Sequence, residues 1–257
     1  MIWNQCSLRL LSATGFVFAA LVVCAPVTAQ DQVEQAIDRF VSHVDAQTDL
    51  SEAIREEAKQ VIAEIRSDDY SRRDCLIEGL CVLYPEFESA LIALGEERVV
   101  EAIASLSDMI TSEDTYLAAH ARYFTARTLM IQERYEAALM MLIFSVSDEG
   151  NHLLTGGESQ FLQGVCYAGL LRRDEAQLAF DKFLQEYPGA PERLRVGAWR
   201  QKEQLAGLNE GSLQDVQQRM EYVRRRLGLE DTSGQTQGHQ QEIIDMLALL
   251  IEEAESS

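Results

Sequence analysis

Residues 157–190 read GESQFLQGVCYAGLLRRDEAQLAFDKFLQEYPGA, and their spacing decides the fold. The stretch is one helix–turn–helix unit. Gly164 and, twelve residues later, Ala176 are small enough to let two helices approach closely. Tyr167 and Phe180 are large enough to fill the space between successive units. Pro188, eight residues past Phe180, has no amide hydrogen to continue a helix and stops the second one.

Two similar stretches precede it. PEFESALIALGEERVVEAIASLSDMITSED carries a turn at Gly95, and YLAAHARYFTARTLMIQERYEAALMMLIFSVSDE turns at residues 132–134. Ala102, Ala137 and Ala176 stand early in the second helix of each copy, 35 and 39 residues apart. A period near 34 residues is that of helix-pair solenoids, and the surplus fits a loop at residues 152–156. With Gly164, Tyr167, Ala176, Phe180 and Pro188 in place, the chain resembles the tetratricopeptide-repeat (TPR) family over residues 83–190. The match is strongest in the third copy, although Gln160 and Gln163 stand where the family has an aromatic and a leucine. Thr125 and Thr128 replace the small and aromatic anchors in the middle copy, and Ala90 and Ala93 do so in the first.

The resemblance implies a solenoid whose first helices line a concave groove. By the family pattern that groove carries Phe87, Leu91, Arg122, Ala126, Phe161 and Val165. These are mostly apolar, so a helical or peptide segment of a protein partner suits them better than an acidic tail. An equally open arrangement has them pack against the chain's own C-terminal helix. FLQEYPGAPE is also similar to the repeat ends of bacterial outer-membrane assembly lipoproteins and Tol–Pal coordinating proteins.

Outside the repeats the chain reads as helical throughout. Residues 30–82 form three amphipathic helices, with Val33, Ile37, Phe40 and Val44 on one face of the first. Residues 191–208 cap the repeats, completing an 83–208 segment, with Leu194, Ala198, Trp199 and Leu205 expected inward. Residues 209–228 hold a helix with Val216, Met220, Val223 and Leu227 at heptad spacing. Residues 229–238, polar and glycine-containing, read as a linker. The apolar helix in residues 239–257 needs a partner, because its polar face is narrow. It either docks on its own domain or self-associates through Ile243, Ile244, Leu247, Leu250 and Ile251.

The first 29 residues read as a secretory signal. Arg9 supplies a positive start, residues 10–23 are apolar apart from Ser12 and Thr14, and Val27, Thr28 and Ala29 are small residues before a cleavage point at Gln30. Fourteen apolar residues rise only about 21 Å as a helix, short of a hydrocarbon core of about 30 Å. Lipidation at Cys24 is the alternative, with Val23 an unusual residue before it. The chain has 22 basic and 42 acidic residues, a net charge of −20. That balance argues against nucleic acid and anionic lipid as partners. The three cysteines past the signal, Cys75, Cys81 and Cys166, read as buried free thiols, a bridge from Cys75 or Cys81 to Cys166 being the alternative. His43, His120, His152 and His239 are isolated from one another, so neither metal nor cofactor is expected. The expectation is a non-catalytic, periplasmic interaction scaffold of the bacterial envelope, without an integral span in the mature chain. A homo-oligomer built through the C-terminal helix and an accessory subunit of an envelope enzyme are the alternatives.

Overall fold

The computed structural model describes residues 29–68, 72–146, 153 and 156–256. The expected signal segment up to Thr28, with Cys24, and the loop residue His152 lie outside the described residues. Among the described residues the chain folds into twelve α-helices: α1 (Ala29–Ala46), α2 (Glu52–Arg66), α3 (Cys75–Leu83), α4 (Pro85–Gly95), α5 (Val99–Met109), α6 (Thr115–Ile131), α7 (Tyr135–Val146), α8 (Gly156–Gly169), α9 (Arg173–Glu186), α10 (Glu192–Ala206), α11 (Leu213–Gly228) and α12 (Gly234–Ser256). From α2 to α10 each helix packs on its neighbours in sequence, and α11 packs on α12. The result is an array of helical hairpins.

One corner recurs along this array. Glu97, Glu133 and Leu171 adopt left-handed φ values of 61°, 58° and 60°. At each, the next residue's amide reaches back to the ending helix: Arg98 to Ala93 O (2.8 Å), Arg134 to Leu129 O (2.9 Å) and Arg172 to Tyr167 O (2.9 Å). This bond satisfies a carbonyl that the helix end leaves free, and it reverses the chain within two or three residues. Glu230 repeats the corner with φ 60° and an Asp231 amide bonded to Arg226 O at 2.9 Å. Ser233 Oγ then caps the next helix through the Thr236 amide. The stretch expected as a linker to residue 238 is therefore a tight corner, and α12 begins at Gly234, so α11 and α12 form a fourth hairpin of this kind.

The corners also set the repeat register. Counting from them aligns Ala90, Ala126 and Gly164 on the first helices, and Ala102, Ala138 and Ala176 on the second, 36 and 38 apart. All of these alanines and Gly164 are buried. The middle anchor is thus Ala138, with no exposed surface, rather than the half-buried Ala137 expected from sequence. The large partners fall into line as Leu106, Leu142 and Phe180, each fully buried. Where the first helix carries alanine the partner is leucine, and where it carries Gly164 the partner is phenylalanine. A Cβ on Gly164 would stand 2.5 Å from the Phe180 ring. The missing methyl is what admits the larger side chain.

Helices α1–α3 close the N-terminal end. Ile37, Phe40, Val44, Ile62, Leu76 and Leu80 form one core with Phe87 and Leu106. Asp114 fastens that core to the array. Its carboxylate caps α6 through the Tyr116 and Leu117 amides (2.8 and 3.1 Å). It also accepts from Tyr84 Oη at 2.6 Å and Gln47 Nε2 at 3.1 Å, and lies 3.1 Å from His43 Nε2. Burial alone would raise its pKa, but the bonds from His43, Tyr84 and the Leu117 amide outweigh that and hold the carboxyl below its ordinary value. Burial, then the bond to Asp114, pushes the Tyr84 hydroxyl up. At the other end α10 buries Ala198 and Leu205, with Leu194 half-buried. Trp199, expected inward, is 56% exposed, because it is turned about 100° from the preceding residue Ala198.

The register is testable by size. Ala138→Leu overfills a closed contact and should cost about 1–3 kcal/mol, whereas Ala137→Leu should stay within about 1 kcal/mol because that position is half-open. Phe180→Ala should cost about 3–5 kcal/mol. Urea unfolding of the three variants decides; equal effects at 137 and 138 would break the register.

Candidate functional site

The groove residues expected from sequence do not form one accessible surface. Phe87 is fully buried, covered by the N-terminal helices, with its ring 6.0 Å from that of Phe124. Ala126 is fully buried because it is the small contact residue of its hairpin. Leu91 is half-buried in the N-terminal core. Arg122, also half-buried, donates from Nη2 to the Ile110 carbonyl at 2.7 Å. Phe161 and Val165 are half-buried against the α9–α10 core, Phe161 with its ring 5.8 Å from Phe180 and 5.7 Å from Phe183. Leu153, from the stretch between α7 and α8, is itself buried against Tyr123 of α6.

Exposed apolar side chains are scattered along the array, Val100, Ile131 and Leu178 among them, but on the C-terminal hairpin they fall into lines. Of the five residues expected to self-associate, Ile243, Leu247 and Leu250 dock in cis against Val216, Tyr222 and Val223 of α11. Ile244 and Ile251 point outward, each 58% exposed. On α11 the heptad expected as one seam splits. Val216 and Val223 are buried, while Met220 (53%) and Leu227 (43%) are exposed, together with Leu213 (70%). Leu213, Met220 and Leu227 are successive sevens, so they form a ridge that drifts only about 20° around the helix per step, as do Ile244 and Ile251.

Both ridges lie on the same side of the hairpin. Tyr222 meets His239 with ring centroids 5.0 Å apart, and Arg219 pairs with Glu242. These contacts run along one edge of the antiparallel pair. On both helices the exposed ridge lies on the opposite rotational side of the buried line, so Met220 and Ile244 flank the same outer edge.

The hairpin is held by charge. Asp215 has no exposed side-chain surface and is paired with Arg173 of α9. It also accepts from Arg219 Nε at 3.1 Å and the Gly211 amide at 3.0 Å. Ser212 caps α11 through the Asp215 amide at 3.3 Å. Burial alone would raise Asp215, but the Gly211 amide and Arg219 outweigh it and hold the carboxyl below its ordinary value. The Arg224–Arg225–Arg226 run reaches back to the array. Arg224 Nη2 meets Glu133 Oε1 at 2.8 Å, and Arg226 pairs with Glu136 and Asp231. Arg225 Nη2 donates to Gly169 O at 2.6 Å and lies 5.3 Å above the Tyr135 ring. Leu170 and Leu171, at the α8–α9 corner, join the hairpin core. Between α10 and α11 a cleft of about 310 Å³ remains, edged by Gln201, Gln204, Gln214, Gln217 and Gln218.

Cys75, Cys81 and Cys166 are free thiols, the first two in the N-terminal core and the third in the core between α6, α7 and α8, and burial pushes Cys81 and Cys166 up to about 12. Among the described residues, no group of three or more histidine, cysteine, aspartate or glutamate side chains is placed to hold a metal ion. Among the same residues, no helix is long and apolar enough to cross a membrane. Family models, curated proteins and solved structures give no match to this chain.

Sequence reasoning missed Asp215 and Arg173. Their one local signal was Ser212 followed three residues later by Asp215, which reads only as a helix start. Asp215→Ala leaves two arginines facing an apolar hole and should cost about 3–5 kcal/mol. Hydrogen exchange should then rise in α11 and α12 while α8 and α9 stay protected. Because the folded pKa is depressed, this stabilisation is present above the unfolded carboxyl value of about 3.9 and is lost as pH falls through the folded value. Exchange in the hairpin should accordingly accelerate on acidification of the wild type, as should exchange around Asp114, while α8 and α9 stay protected. Uniform loosening of the whole chain in either experiment would contradict the clamp.

Proposed function

We propose that this chain is an interaction scaffold of the tetratricopeptide type, exported to the bacterial envelope and non-catalytic. The observation that carries the reading is a two-helix apolar face, fixed by buried charge to the end of a hairpin array. A surface that exposes Leu213, Met220, Leu227, Ile244 and Ile251 is a poor use of apolar area in a strongly acidic chain unless another protein covers it. Its rigidity favours binding, since little ordering entropy remains to be lost. The repeat anchors of residues 157–190 and the recurring corner support the tetratricopeptide assignment. The apolar segment ahead of a small-residue site at residues 27–29 supports export. The site of partner contact moves from the concave groove to the hairpin.

The reading is tested in cells by a photo-crosslinking side chain placed at Ile244 or at Leu178. Both positions are exposed, but Leu178 lies on α9 away from the hairpin face. A discrete protein adduct is expected at 244 and none at 178. Equal labelling at both, or no adduct at either, would sink the proposal. Mass spectrometry of the protein recovered from the same cells should find a chain that starts at Gln30.

A further inference from the structure

We infer that the outer face of α10 is a second docking surface, and that it takes a short acidic segment of another protein with an apolar side chain among its carboxylates. This face is separate from the C-terminal hairpin, and the inference does not rest on the reading of the hairpin.

Position is the first ground. Helix α10 ends the array by packing on α9 and α8. The hairpin that follows is tied to the α8–α9 corner, through Arg173 and the Gly169 carbonyl, so it leaves the far side of α10 bare. On that side Val196 is turned about 160° from the buried Ala198, with Trp199 and Arg200 one turn after it and Arg193 one turn before. Trp199 is 56% and Val196 38% exposed, and both arginines are exposed. The end of a repeat array ordinarily turns a polar face to water. Tryptophan and arginine set around an aliphatic side chain are instead the composition of an interface centre.

Charge is the second ground, and it selects the partner. Helix α10 carries a net +2 within a chain of −20. Lys202 is taken by Asp181 at 2.6 Å, and Arg195 Nε donates to the Ala190 carbonyl at 3.1 Å. Among the described residues Arg193 and Arg200 form no ion pair, whereas all four arginines of α11 do. Glu192 and Glu203 stand at the two ends of the face, a turn beyond Val196 and Trp199, so its middle is cationic. Arg193 and Arg200 are about 10.5 Å apart along the helix axis, far enough to take one carboxylate each. An apolar side chain between those carboxylates then meets Val196 and Trp199. Charge is screened over about 8 Å at physiological ionic strength, so a short segment that reaches this face is drawn by the arginines and not repelled by the distant acids. An anionic bilayer, broad and flat, would have to approach the whole negative chain.

The test uses residues 30–257, which hold every described helix but for Ala29. Trp199 is the only tryptophan in that chain, so its emission reports on this face alone. A short blocked peptide of glutamate, leucine and serine should shift the emission to the blue, and the shift should saturate. The same peptide with lysine in place of glutamate should leave the emission unchanged. Arg193→Glu/Arg200→Glu should weaken binding about tenfold or more, with an unchanged circular dichroism spectrum because both side chains are exposed. Val100→Asp, on the exposed side of α5, should bind the peptide as the wild type does. Absence of a saturable shift, equal binding of the lysine peptide, or wild-type affinity in the charge-reversed variant would overturn the inference. A shift with phosphatidylglycerol vesicles but not with the peptide would assign the face to lipid. A shift on raising the protein concentration alone, with a doubled mass in light scattering, would assign it to a second copy. Either result overturns the inference as well. Because the readout is Trp199, its failure leaves the hairpin reading standing, and failure of the Ile244 crosslink leaves this one standing.

Discussion

A helical hairpin has two faces and a core too thin to fill both, so each pair in this chain depends on the next for burial. What makes the dependence orderly is the corner. Glu97, Glu133, Leu171 and Glu230 all turn the backbone left-handed, and each is followed by an amide bonded back five residues. The corner fixes which side of the second helix meets the first. From that follows the pairing of a small residue with a large one, seen as Ala with Leu twice and as Gly164 with Phe180 once. The array is continuous because the same angle is made each time.

The two ends solve the problem of the uncovered face differently. At the N-terminus three helices bury Phe87 and the side chains around it, and Asp114 ties α1, Tyr84 and α6 through one carboxylate. At the C-terminus the fourth hairpin docks by its charged side. Asp215 with Arg173, and Arg225 with the end of α8, hold α11 in place, while Leu170 and Leu171 add a modest apolar contact. Docking through charge leaves the hairpin's own outer ridges free. That is the physical origin of the exposed apolar face, and of the function proposed for it.

Much of the fold was legible in the sequence because it is local. The spacing of Gly164, Ala176, Phe180 and Pro188 specifies one hairpin, and amphipathic periodicity marks nearly every helix. The middle register slipped by one residue for a definite reason. Left-handed corners usually carry glycine, and here they carry glutamate or leucine, while Gly95 sits at the end of α4 with open space around it. That slip turned Ala126 from a core contact into a groove residue. Glu230 concealed a fourth corner in the same way, so a hairpin read as a linker. The site was less legible because it is tertiary. Arg173 and Asp215 are 42 residues apart and signal nothing to each other in sequence. The exposure of Met220 and Leu227 depends on which side of α11 the charges seize, which heptad spacing alone does not say.

The central claim is that α11 and α12 form a docked hairpin rather than a helix on a loose tether. Amide hydrogen exchange across residues 238–250 tests it most directly, because an isolated helix of this length is marginal in water. The account predicts protection in that stretch approaching that of α8 and α9. Exchange there at rates near those of an unfolded chain would contradict it.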